Sequence, residues 1–215
     1  MTSPESKIDT RDRLIQAAGE VFADKGFRAA TIREITKRAA VNLAAVNYHF
    51  NDKEELYSAV LLYAHQCAME TDWVSNFSIP REDQLHQFIE GMLRHLFDSH
   101  RPKWQSQLMA REMATPTRML HQLLEEGLVP KVKLLETLVL NLLPSSIPEK
   151  TLHQLCLSIL AQCLFYRQSK PVIDHIYPEI LNDPDPIPSI ARHITLFSLA
   201  GIRSISTNAT PFSSH

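Results

Sequence analysis

Two helix-start signals eleven residues apart, at Thr31 and Asn42, leave this part of the chain little freedom. Thr31-Ile32-Arg33-Glu34 has the form of a capping box. The Thr hydroxyl can accept the amide three residues on, and the Glu can reach back to the Thr amide. Asn42 is the next residue of N-cap type. One short helix and a turn fit between the two signals, with Ile32, Ile35 and Ala39 facing inward. A second helix of barely two turns follows, roughly Leu43–His49. Asn51, with Glu54 three residues on, repeats the cap pattern and opens a longer helix from about Lys53 to about Thr71. Helices this short are marginal alone. Val46 and Phe50 must therefore pin the second one to a core, which frees its opposite face. The pattern is a helix-turn-helix, whose second helix can enter a DNA major groove.

The flanking chain is also helical. In "TRDRLIQAAGEVFADKG", Leu14, Ala17, Ala18, Val21 and Phe22 recur at three- and four-residue steps, and Gly26 follows as a helix-ending residue. Beyond residue 80, "REDQLHQFIEGMLRHLFDSH", "PKWQSQLMAREMA", "TRMLHQLLEEGLVPKVKLLETLVLNLL", "EKTLHQLCLSILAQCLFYRQ" and "IPSIARHITLFSLAGIRSI" read as successive helices. Pro130 should kink or break the third of these. Asp185-Pro186 suits an N-cap and first helical position, and "STNATPFSSH" reads as a frayed tail. Five glycines in 215 residues and few alternating stretches leave little for strands. The fold class is all-α: an N-terminal three-helix domain holding the helix-turn-helix, and a larger C-terminal helical domain for ligand binding and dimerisation. Domain limits are expected at 8–54 and 55–207.

Charge and chemistry narrow the function. Residues 1–53 carry nine Lys/Arg and seven Asp/Glu, the rest thirteen and seventeen. That slight N-terminal excess of cations permits a nucleic-acid face there. No apolar run is long enough to span a membrane, and the start lacks a signal-peptide core. Three cysteines fit a reducing compartment, so a cytoplasmic location is expected. There is no nucleophile elbow, phosphate-binding loop or dinucleotide-binding glycine pattern, and no enzyme is expected. Ten histidines offer only isolated pairs, Asp83 with His86 and Glu149 with His153, so neither metal nor cofactor is expected. Cys156 and Cys163 share a helix face and suit packing better than redox sensing.

Residues 11–57 resemble the TetR family of transcriptional regulators. The residues that carry the likeness are Gly26-Phe27, Thr31 with Ile35, Asn47-Tyr48-His49-Phe50 and Lys53-Glu54-Glu55-Leu56. Asn42 and Asn47 depart from the family, where many members have Ser or Thr and Tyr. The second departure removes one aromatic phosphate contact. Later segments, "HRPKWQSQLMAREMATPT", "LSILAQCLFYRQSKPV" and "ARHITLFSLAGIRS", resemble the CecR-like subgroup. The resemblance implies that Thr31, Tyr48 and Lys53 grip phosphates. It places Asn42, Leu43, Ala44, Ala45 and His49 on or near the groove face, and Arg33 and Asn47 join the candidate DNA contacts. The two alanines allow close approach and contact with thymine methyls.

The expected function is a sequence-specific regulator of transcription, a homodimeric repressor released from a palindromic operator by a small-molecule effector. An activator of the same family is the alternative, as is an all-α binding protein or enzyme with a vestigial helix-turn-helix. One short recognition helix reads few base pairs, so two half-sites and a twofold dimer are needed. The interface candidates are Leu152, Leu155, Ile159 and Cys163 on one helix, with Ile190, Ile194, Phe197, Gly201 and Ile205 on the last; intrachain core is the competing reading for either stripe. The middle helices offer Met92, His95, Trp104, Met109, Arg111, Met113 and His121 as a ligand-pocket lining, where Met adapts to apolar groups and Arg111 can meet an anion.

Overall fold

The computed structural model describes residues 9–69, 73–144 and 146–206. Eleven α-helices occur among them: α1 (Thr10–Ala29), α2 (Ile32–Ala39), α3 (Ala44–Phe50), α4 (Lys53–Met69), α5 (Arg81–Phe97), α6 (Lys103–Ala114), α7 (Met119–Leu123), α8 (Val129–Leu142), α9 (Glu149–Gln168), α10 (Lys170–Ile176) and α11 (Ile187–Ser206). The described residues contain no strand. The expected end of α4 at Thr71 and the C-terminal tail lie outside the described residues.

Packing divides the chain into two compact units, each made of two separate stretches. One combines the described residues of 1–70 with Ser99–Leu128; the other combines those of 71–98 with those from Val129 on. The sequence division at 54/55 is thus a proposed division of roles, while packing draws α4, α6 and α7 together with the helix-turn-helix.

In the first unit α1 is central and packs on α2, α4 and α6. Leu14, Ile15, Ala18 and Phe22 are its buried stripe, meeting Ile35, Val46, Leu56, Val60 and Leu108. Gly19 allows α6 to approach, because a Cβ there would stand 2.5 Å from Trp104 Cε3. Gly26 has φ 77° and ψ 169°, a conformation open chiefly to glycine, and it kinks α1 so that Phe27–Ala29 form a separate last turn.

In the second unit α5 packs on α8, α9 and α11, and α9 packs on α8, α10 and α11. Phe88, Ile89, Leu138, Ile159, Cys163 and Ile194 lie at its centre. The expected break at Pro130 takes the form of a π-helical turn, Leu124–Leu128, placed just before it. Pro130 then sits in the first turn of α8, where its missing N–H costs least. α11 begins at Ile187, one residue later than the expected start at Pro186: the Pro186 carbonyl accepts the Ile190 amide at 3.2 Å, and Asp185 Oδ1 accepts the Ile187 amide at 3.4 Å.

Candidate nucleic-acid interface

The helix-turn-helix is built by caps and by two buried side chains. Thr31 Oγ1 accepts the Glu34 amide at 3.2 Å and starts α2. Half of the expected capping box is realised, since the Glu34 carboxylate turns instead to Lys25 Nζ at 2.6 Å. α2 ends at Ala40, which adopts the left-handed conformation (φ 52°, ψ 47°) without being glycine. That strained residue is held from α1: the Arg13 guanidinium donates to the Ala39 and Ala40 carbonyls. Asn42 Oδ1 then accepts the Ala45 amide at 3.0 Å and starts α3. Val46 and Phe50 are buried, so α3 has one fixed orientation on the core.

The other side of α3 is open. Asn42, Leu43, Ala44, Asn47 and Tyr48 are exposed, Tyr48 to 84%. Ala45 and His49 are half-buried, and the His49 ring lies edge-on to Tyr48 at 4.9 Å. Thr31 and Arg33 are exposed at the start of α2. Lys37, one turn beyond Arg33, is exposed too. Its i, i+4 spacing from Arg33 was the available signal for adding it to the candidates. Lys53 is half-buried: its ammonium lies 4.7 Å from the Phe27 ring centroid and donates to the Arg28 carbonyl at 3.4 Å.

The cap of α4 is displaced from its expected place. Asp52, not Asn51, is the N-cap, and its Oδ1 accepts the Glu55 amide at 2.9 Å. Asn51 takes φ 58° and donates its side-chain amide to the Glu55 carboxylate at 2.9 Å. The reason is geometric: α3 ends in a tight three-residue turn, with Asn51 at φ 58° and ψ −56° and the Asp52 amide donating to the Phe50 carbonyl at 2.6 Å.

The same unit contains a buried carboxylate. Glu112 is fully buried, accepting from the Tyr57 hydroxyl at 2.6 Å and from the Thr117 amide and hydroxyl at 2.8 and 2.6 Å. Burial, and then the Glu112 carboxylate, raise the Tyr57 pKa, so Tyr57 stays a donor. Beside this network lies a cleft of about 620 Å³.

The seven residues suggested for a ligand pocket are dispersed. Met92 and His95 belong to the second unit and the other five to the first. Met92 is buried in core, Trp104 Nε1 donates to Gln16 Oε1 at 3.1 Å, and Met109 is partly buried on the first core. Met113 and His121 are exposed. Arg111 alone of the seven lines the cleft, and its guanidinium donates to the Ala23 and Asp24 carbonyls.

The interface candidates separate likewise. Leu152, Ile159, Cys163, Ile190 and Ile194 are buried in the chain's own core. Leu155 is partly buried, whereas Phe197, Gly201 and Ile205 are exposed. Leu157, Phe165 and Leu196 are also exposed, above half of their surface each. Burial pushes the Cys156 thiol up to about 11 and the Cys163 thiol to about 12, which suits packing. Among the described residues no three His, Cys, Asp or Glu side chains converge to hold a metal ion, and no helix is long and apolar enough to cross a membrane.

Two family models match. "Bacterial regulatory proteins, tetR family" covers residues 14–60, and "HTH-type transcriptional dual regulator CecR, C-terminal domain" covers residues 81–202. The uncharacterized HTH-type transcriptional regulator TtgW of Pseudomonas putida is 41% identical over 80 residues, 37% of this chain and 58% of that protein. The HTH-type transcriptional regulator SrpR of Pseudomonas putida is 41% identical over 73 residues, 34% of each chain. The matched stretch is thus under two thirds of either relative's length. A transcriptional regulator from Rhodococcus sp. Rha1 superposes with a TM-score of 0.61 at 19% identity, over 90% of this chain and 97% of that one, and so shares its fold.

Proposed function

The chain belongs to the TetR family of DNA-binding transcriptional regulators and carries a CecR-type C-terminal domain, and from that premise we propose that it is a homodimeric repressor, released from a palindromic operator by a small-molecule effector. The observation that carries this reading is the open face of α3, fixed by Val46 and Phe50 on its other side. In this reading Leu43, Ala44 and Ala45 lie against base edges in the major groove. Thr31, Arg33, Asn42, Tyr48 and Lys53 meet the backbone, with Lys37 added to them. Asn47 and His49 lie at the edge of the contact.

The dimer reading is supported by the exposed apolar side chains of α9 and α11, which pack together in one unit. Leu157, Phe165, Leu196 and Phe197 are the proposed centre, with Gly201 and Ile205 beside them. The effector acts by population shift, preferring a conformer whose recognition helices no longer match the half-sites. To empty the operator it must favour that conformer by several kcal/mol, about 5.5 for a complete reversal. The cytoplasm is the proposed location. The alternative sign, activation, is favoured by one finding: the matched C-terminal family is described by a dual regulator.

A binding selection tests the reading. Purified full-length protein is incubated with a genomic DNA pool at moderate salt, and recovered fragments are sequenced. An inverted repeat is the expected result. Recovery of no sequence, even at low salt, would remove DNA recognition from the account.

A further inference from the structure

We infer that the cleft beside Tyr57 is an effector site for a small organic anion, a carboxylate or phosphate monoester carrying a short apolar body. The inference rests on the regulator reading above and gives it a site and a ligand class. Four cations line the cleft, Lys25, Arg28, Arg111 and Arg118, against one carboxylate, Glu54. Lys25 is neutralised by Glu34, and Arg111 is engaged by the Ala23 and Asp24 carbonyls. Among the described residues, the Arg28 and Arg118 side chains form no ion pair or hydrogen bond. Two uncompensated guanidiniums on a concave surface concentrate a positive field, and guanidinium suits a planar carboxylate or a phosphate.

The remaining wall is apolar. Phe27 and Met119, both half-buried, supply its open surface, and Tyr57, only 3% exposed, backs Phe27 with ring centroids 5.0 Å apart. A wholly inorganic anion would leave that surface unused. An aryl or short alkyl group covers it, and about 620 Å³ lies within the usual range for a small-molecule site.

The position of the cleft explains how occupancy reaches DNA. It lies within the unit that holds the helix-turn-helix, bordered by the last turn of α1, the first turns of α4 and the Thr115–Met119 segment. Tyr57 is on α4, which begins three residues after α3 ends, and its hydroxyl is tied to Glu112 of α6. A ligand seated against Phe27 and Met119, in front of the buried Tyr57 ring, therefore biases the angle between α4 and α6, and with it the stance of α3.

The test uses the full chain labelled with 15N and three probes, benzoate, octanoate and phenyl phosphate, with benzyl alcohol as the neutral control. At least one anion is expected to shift the Gly26 and Thr117 amides saturably, while benzyl alcohol does not. Arg28→Gln and Arg118→Gln should each weaken that binding on the order of tenfold. The bound anion should also change affinity for the recovered operator. The inference is overturned if no probe binds, if the double variant binds equally well, or if binding leaves operator affinity unchanged. Failure to bind any DNA would instead sink the regulator reading, and the amide shifts would still decide whether the cleft takes anions.

Discussion

Tyr57 makes a buried carboxylate tolerable. Both Tyr57 and Glu112 are withdrawn from water, so removing the hydroxyl leaves Glu112 Oε2 without that donor. Tyr57→Phe is expected to lower stability by about 1–3 kcal/mol, read from the urea midpoint. The pH dependence has a definite sign. Unfolded tyrosine ionises near 10.0, and the native Tyr57 pKa is raised above that. Its contribution to stability is therefore complete below pH 10 and falls as pH rises through the native value. Between pH 9 and pH 11 the wild type should lose more stability than Tyr57→Phe, and equal losses would contradict the assignment. Lys53 presents a different case, since its ammonium is parked over Phe27 in the free protein. Lys53→Ala should weaken binding to all DNA sequences alike and lower the salt slope by about one unit per subunit. Lost specificity at an unchanged slope would move Lys53 off the phosphates.

At the scale of the element, α3 is seven residues long and depends on its cap and on two anchors. The Asn42 side chain accepts the Ala45 amide at 3.0 Å, sharing it with the Asn42 backbone carbonyl at 3.2 Å. Asn42→Ala should cost about 1 kcal/mol, and Asn42→Ser should recover most of it. Denaturant titration of the two variants checks this, and unchanged stability in Asn42→Ala would remove the cap role from Asn42. The turn before α3 has another support that the cap pattern does not reveal. Ala40 is left-handed, and Arg13, 27 residues earlier, holds its carbonyl at 3.0 Å. The shift of the α4 cap from Asn51 to Asp52 comes from the backbone too, since Asn51 is taken up by the turn at φ 58°. Asn and Asp both cap well, so the sequence offered two starts one residue apart, and the path of the chain out of α3 selected one.

For the whole molecule, the prediction concerns assembly. Phe197 is 64% exposed on α11 although it lies within a long apolar pattern. Phe197→Glu should yield a folded monomer at concentrations where the wild type sediments as a dimer, because a charge cannot be buried unpaired in an apolar contact. A variant that stays dimeric would place the interface elsewhere. The apolar stripes of α9 and α11 were legible as stripes, yet their periodicity could not say which face meets the chain's own core and which stays open. Leu152, Ile159, Cys163, Ile190 and Ile194 went inward because α5, α8, α9 and α11 converge on them. The sequence by itself determined the helical class, the helix-turn-helix and its caps. Those depend on residues within a few positions of one another, where apolar period and cap chemistry act directly. Tertiary structure alone decided that residues 99–128 return to pack with the N-terminal helices, through pairs such as Trp104 with Gly19 and Gln16. It also decided that Glu112, Tyr57 and the basic cleft come together, since contacts between residues 55 or more positions apart leave no periodic trace along the chain.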